Sequence, residues 1–129
     1  MKYLLDSNAV IALLKGNAGF LARLRRCKPE DFAIPAVVAH ELFYGAYKGQ
    51  RVTESLGRIE GLAFEVLEFD REDARAAGEV RATLARAGTP IGPYDVLIAG
   101  QAIARDLILI THNTTEFRRV GRLRVEDWE

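Results

Sequence analysis

An α/β domain with a short, mostly parallel central sheet is the fold that three features of the 129-residue chain predict. Runs of strand-like sequence alternate with runs of helical spacing. The strand-like runs are short and aliphatic, as expected of strands buried on both faces. No internal repeat, low-complexity tract or linker interrupts the pattern, so residues 1–129 are expected to form a single domain. In such sheets sites form outside the carboxyl ends of the strands.

The elements follow in order. KYLLD reads as a first strand, and Ala9 to Lys15 as a short helix capped by the Asp6–Asn8 cluster. Gly16-Asn17 breaks that helix, after which Phe20, Leu21 and Leu24 recur at helical spacing up to Cys27. Lys28 to Asp31 is a turn, and Phe32-Ala33-Ile34 a second strand. Pro35 opens a long helix that Gly49 ends. Val52 to Gly61 is weakly helical. FEVLEF alternates like a strand, with Phe64 and Val66 facing inward and Leu67 a further inward candidate.

Asp70 caps a helix over Arg71 to Ala87, with Asp73 three residues on in the manner of a capping box. Residues 88–93 form a loop rich in Gly and Pro. Tyr94 to Ala104 is an apolar helix and Leu107 to Ile110 a continuous aliphatic strand. THNTTEF starts another short helix, and Leu123 to Val125 is the candidate last edge strand.

Composition narrows the function classes. Hydrophobic residues make up 49% of the chain and charged ones 28%, the balance of a soluble globular protein. The 18 basic and 18 acidic residues cancel, so a nucleic-acid partner would need a local basic patch. Cys27 is alone, which excludes a disulfide framework or a thiolate cluster and fits a reducing cytoplasm. No signal-peptide core or membrane-length apolar run is present.

The informative residues are acids in unexpected places. Asp6 follows the first strand directly, where it can serve as an N-cap or as a carboxylate at the mouth of a site. Glu41 has Val37, Val38, Tyr44 and Gly45 as its neighbours one turn away, so it sits on or beside an apolar helix face. Asp95 extends the stripe of Ile98, Ala99 and Ala102, although a carboxylate in a first helical turn already has a structural reason. Asn113 lies just past a buried strand, with Glu116 one turn into the next helix. If the strands are parallel, all four regions meet at one edge of the sheet. Carboxylates crowded there raise one another's pKa, and a divalent cation relieves that repulsion. An all-oxygen donor set suits Mg²⁺ or Mn²⁺ better than Zn²⁺.

These residues carry a resemblance. LLDSNAVIALLKG, IPAVVAHELFYGA, IGPYDVLIAGQAIARDLILITHNTTEF and LRVEDW, in this order over nearly the whole chain, resemble PIN-domain ribonucleases, specifically VapC-type toxins of toxin–antitoxin pairs. The resemblance implies a PIN-like three-layer α/β/α domain. It implies a Mg²⁺- or Mn²⁺-dependent endoribonuclease, with Asp6, Glu41 and Asp95 as the acidic metal-site residues. Asn113 is carried over as a fourth site residue, at a position that is Asp in many relatives, and Ser7, Asn8 and Glu116 as supports around the acids. Asp95, Asp6 and Glu41 hold one ion comfortably, and a second only with substrate oxygens. A water oriented at the site attacks phosphorus in line, and the ion offsets charge on the phosphoryl and leaving oxygens.

The resemblance also implies a cytoplasmic homodimer, blocked by a cognate antitoxin whose C-terminal segment lies across the site. Arg118, Arg119, Arg122 and Lys48 are candidate contacts to RNA phosphates, and Tyr94 could stack on a base. His40 is expected to make surface contacts, while His112 could reach the scissile phosphate. Two alternatives compete. One is a haloacid-dehalogenase-like phosphatase with Asp6 as nucleophile, which Asn8 in place of an acid disfavours. The other is a non-catalytic PIN-like module that binds a partner and whose acids merely cap helices.

Overall fold

A computed structural model describes residues 1–129. Five parallel strands form the sheet: β1 (Tyr3–Leu5), β2 (Phe32–Pro35), β3 (Glu65–Leu67), β4 (Ile108–Ile110) and β5 (Val125–Glu126). Their spatial order is β3-β2-β1-β4-β5, with Leu4 opposite Ala33 on one side and Leu109 on the other. Chain direction along the sheet reverses between β1 and β4. That crevice is the topological switch point, where open α/β sheets place their ligands.

Seven α-helices cover the sheet: α1 (Ser7–Leu14), α2 (Ala18–Leu24), α3 (Ala36–Lys48), α4 (Val52–Glu60), α5 (Arg71–Ala87), α6 (Pro93–Ala104) and α7 (Thr114–Phe117). The central strands are fully enclosed, with Leu4, Leu5, Ala33 and Leu109 showing no exposed surface. An aromatic cluster closes one end of the core. Trp128 packs edge-on against Tyr3 and Phe32, whose own rings stack 5.4 Å apart. No helix is long and apolar enough to cross a membrane.

Local chemistry explains most boundaries. The Asp6 carboxylate caps α1 by accepting from the Ala9 N–H, so the helix starts at Ser7, two residues before the apolar run suggests. Pro35 closes β2 instead of opening α3, although its fixed φ still leads directly into the helix. The capping box of Asp70 and Asp73 forms as expected, and Gly88 ends α5 in the left-handed conformation (φ 71°) that favours glycine. Gly100 has a different reason. A Cβ there would lie 2.4 Å from the Ala77 Cα, so α5 and α6 cross with their backbones nearly touching.

Two expectations are corrected. Val66 does not face inward; it is 51% exposed, and Leu67 is the buried residue of β3. Adjacent strand residues point to opposite faces, so Val66 and Leu67 cannot both turn inward, and Leu67 does. The last strand forms at Val125–Glu126, displaced from Leu123–Val125, because Arg124 and Glu126 supply the backbone carbonyls that receive the Leu109 and Thr111 N–H groups.

Candidate active site

The parallel register sends the ends of β1 and β4 to the same edge, and Asp6 and Thr111 stand there side by side. Asp6 is 4% exposed. One of its oxygens accepts from the Ala9 N–H at 2.8 Å and the other from the Thr111 hydroxyl. Burial pushes its carboxyl up to about 6, against the pull of those two hydrogen bonds; the charges of Glu129 and Glu41 add to the rise.

Glu41 sits in the second turn of α3, about 100° round the helix from the centre of the buried stripe of Val38, Leu42 and Ala46. It is half-buried and accepts from the Ser7 hydroxyl at 2.8 Å. Asp95 occupies the first turn of α6, where Gly92 lets the loop pass closely. A Cβ at Gly92 would stand 3.2 Å from an Asp95 carboxylate oxygen. Burial pushes Asp95 up to about 6 as well, reinforced by a hydrogen bond to Glu116 and by the charges of Glu116, Asp6 and Glu41. Asn113 donates its amide to Glu116 at 3.2 Å, and its N–H donates to the Thr111 hydroxyl at 2.9 Å.

Asp6, Glu41, Asp95 and Glu116 thus form one electrostatic neighbourhood, with Ser7 and Asn113 bonded to its members. The charged groups that act on Asp6 and Asp95 are all acidic. Such a set fits a hard divalent cation, since its donors are carboxylate oxygens. The ligand oxygens of Asp6, Glu41 and Asp95 do not gather within 4.8 Å of one another. The trio whose ligand atoms do come within 4.8 Å of one another is His112, Asp127 and Glu129, beside the carboxylate site.

The remaining candidates are more scattered. Asn8 is exposed and lines a groove with Ser7 and Glu41. Arg119 donates to the Pro90 carbonyl and Arg122 is paired with Glu79 on α5, and both side chains remain exposed. Arg118 and Lys48 are exposed. Sequence reasoning missed the Thr111 hydroxyl as an Asp6 partner and the contact of His112 Nδ1 with Asp127 at 3.0 Å. A hydroxyl directly after a buried aliphatic strand was the available signal for the first. The second joins residues from two strand ends and leaves no local signature.

An acid-lined site at the switch point of a five-stranded parallel sheet defines the class of protein, and comparison with known proteins agrees. Residues 3–123 match the model of the PIN domain family. The chain is 42% identical over 130 residues to the tRNA(fMet)-specific endonuclease VapC of Shigella flexneri, covering 99% of this chain and 98% of that protein. Its fold superposes on the solved structure of DNA-bound VapBC from Salmonella typhimurium with a TM-score of 0.95 at 38% identity, over 100% of this chain and 99% of that one. VapBC2 from Rickettsia felis, bound to a fragment of its promoter DNA, gives 0.93 at 29% identity over the full length of both chains. The chain belongs to the PIN-domain family, among its VapC ribonucleases.

Proposed function

We propose that this chain is a Mg²⁺- or Mn²⁺-dependent endoribonuclease toxin that hydrolyses phosphodiester bonds in a structured RNA of the tRNA type, in the cytoplasm, and that a cognate antitoxin restrains it. The observation that carries the reading is the convergence of Asp6, Glu41, Asp95 and Glu116 at the carboxyl edge of β1 and β4, with Thr111, Ser7 and Asn113 bonded to three of them. The tRNA(fMet) specificity named for the Shigella relative supports the substrate class.

Asp6, Glu41 and Asp95 would hold the ion, which when bound acts as a Lewis acid on the phosphoryl and leaving oxygens. Thr111 and the Ala9 N–H fix both Asp6 oxygens in orientation, and Ser7 fixes Glu41. Glu116, tethered by the Asn113 amide and hydrogen-bonded to Asp95, would take the proton of the attacking water in this reading.

The antitoxin has a place to lie. A groove of about 450 Å³ runs between α1, α3 and α4, lined by Ile11, Leu14, Leu42 and Ile59 and opening at Ser7 and Glu41. An apolar segment seated there reaches the carboxylates with its end. Relatives solved as VapBC complexes support such a partner.

The test uses the purified chain free of antitoxin, given total tRNA and initiator tRNA with Mg²⁺, Mn²⁺ or EDTA. Cleavage with either ion, its loss in EDTA and its loss in Asp95→Asn are the expected results. Cleavage that persists in EDTA, or in the variant, overturns the mechanism.

A further inference from the structure

Three tyrosines are conspicuously open to solvent on this chain, and they share one face. Tyr44 is 61% exposed, Tyr47 64% and Tyr94 46%. Tyr44 and Tyr47 belong to α3, and at about 100° per residue they fall with His40 and Lys48 within a single arc of roughly 100°. Glu41 stands at the margin of that arc. Tyr94 joins it from α6, one residue before Asp95, and meets the His40 ring edge-on at 6.0 Å. The Lys48 ammonium lies 5.0 Å from the Tyr44 ring centroid. An aromatic row with a cation at its far end therefore starts beside the two carboxylates.

We propose that this row is a base-stacking platform. Tyr94 and Tyr44 would receive the unpaired bases flanking the scissile phosphate, while Lys48 meets the backbone. The inference rests on the ribonuclease reading and specifies which part of the RNA the protein grips. Base faces stack on aromatic rings regardless of sequence, and recognition of RNA centres on such splayed, single-stranded nucleotides. His40 braces Tyr94 from its edge and so holds that ring ready before RNA arrives. The occupant is argued from chemistry and place. Substrate leaving the carboxylates must cross the adjoining surface, and the arc holds rings and a cation but no exposed aliphatic side chain. The Lys48 ammonium at the end of the row complements the phosphates that neighbour a stacked base.

The experiment measures binding and cleavage of a short single-stranded RNA and of the same backbone with abasic positions beside the cut. Binding is read on an Asp6→Asn background, and cleavage on the otherwise intact chain. Tyr94→Ala and Tyr44→Ala are each expected to weaken binding of the base-bearing RNA by about 5- to 150-fold. The loss should fall on KM more than on kcat. Tyr94→Phe should bind like the intact chain, which also shows that the site still folds. The abasic RNA should not distinguish Tyr94→Ala from the intact chain.

Equal binding of both RNAs by all variants overturns the platform, as does an equal loss for abasic and base-bearing RNA. Should Tyr44→Ala and Tyr47→Ala convert a sedimenting dimer to monomer with RNA binding unchanged, the face is a self-association surface and the proposal fails. An intact chain that cuts no RNA removes the ribonuclease reading and the platform with it. One that cuts while the tyrosine variants behave normally removes the platform alone.

Discussion

Two aspartates, Asp6 and Asp73, are buried and belong to the caps of helices, yet their surroundings push them in opposite directions. Asp73 receives the Arg105 guanidinium at 3.0 and 3.2 Å, the Gln101 amide at 3.0 Å and the Asp70 N–H at 3.0 Å. Burial alone would raise its carboxyl; Arg105, with the Asp70 N–H and Gln101, carries it below the ordinary range instead. Asp6 receives one N–H and one hydroxyl, has no cation near it, and is held up at about 6. The contrast separates two uses of a buried acid. Where the chain supplies its own countercharge the carboxylate ties helices together. Where the countercharge is missing, the site is open to an external one.

Substitutions test that division, beginning with the largest effect. Asp6→Asn should lower the RNA cleavage rate on the order of 10³-fold, while thermal unfolding shows no loss of stability. A stability loss matching that of Asp73 would dissolve the contrast. Asp73→Asn should do the reverse. Loss of the buried Arg105 partner is expected to remove about 3 kcal/mol in urea unfolding, with cleavage per folded molecule retained.

Acidity gives a smaller and directional effect. The folded Asp6 carboxyl, at about 6, holds its proton more tightly than the unfolded one near 3.8, so folding is favoured by protonation. With no divalent ion added, Asp6 should therefore contribute about 1 kcal/mol of added stability as pH falls from 7 to 5, with Asp95 acting in the same direction, and the rise should level off below the unfolded value. Saturating Mg²⁺, which binds the charged form, should flatten that rise in unfolding followed across the pH range. The smallest effect belongs to Arg122→Ala. Its ion pair with Glu79 is exposed on both sides, and its removal should change stability by less than about 1 kcal/mol.

How much of this was legible in the sequence depended on distance along the chain. Asp6, Glu41 and Asp95 could be singled out because each breaks a local pattern: an acid ending a strand, or an acid beside an apolar stripe. The parallel sheet then follows from alternation alone, and with it the shared edge. What could not be read were the pairings across the switch point. Thr111 with Asp6 joins residues 105 positions apart and Glu116 with Asp95 joins two different helices, and nothing in either segment's spacing requires its partner. The Gln101–Asp73–Arg105 network stayed hidden for the same reason. Gln101 and Arg105 look like ordinary polar positions until α5 crosses α6. For the basic residues after residue 117, composition shows the guanidiniums but not their contacts on the chain, such as Arg122 with Glu79 and Arg119 with the Pro90 carbonyl.

The crossing of α5 and α6 at Gly100 reaches beyond packing. Helix α6 carries Asp95 at its front and Gln101 toward its rear, and behind it Arg105 is latched to α5 through Asp73. It works as a rigid strut clamped at the back, so the spacing between Asp95 and the end of β1 is dictated by how deeply Ala77 and Gly100 seat against each other. Turnover can thus drift or be tuned through changes at positions 77, 100 and 105, a full helix away from any reacting atom.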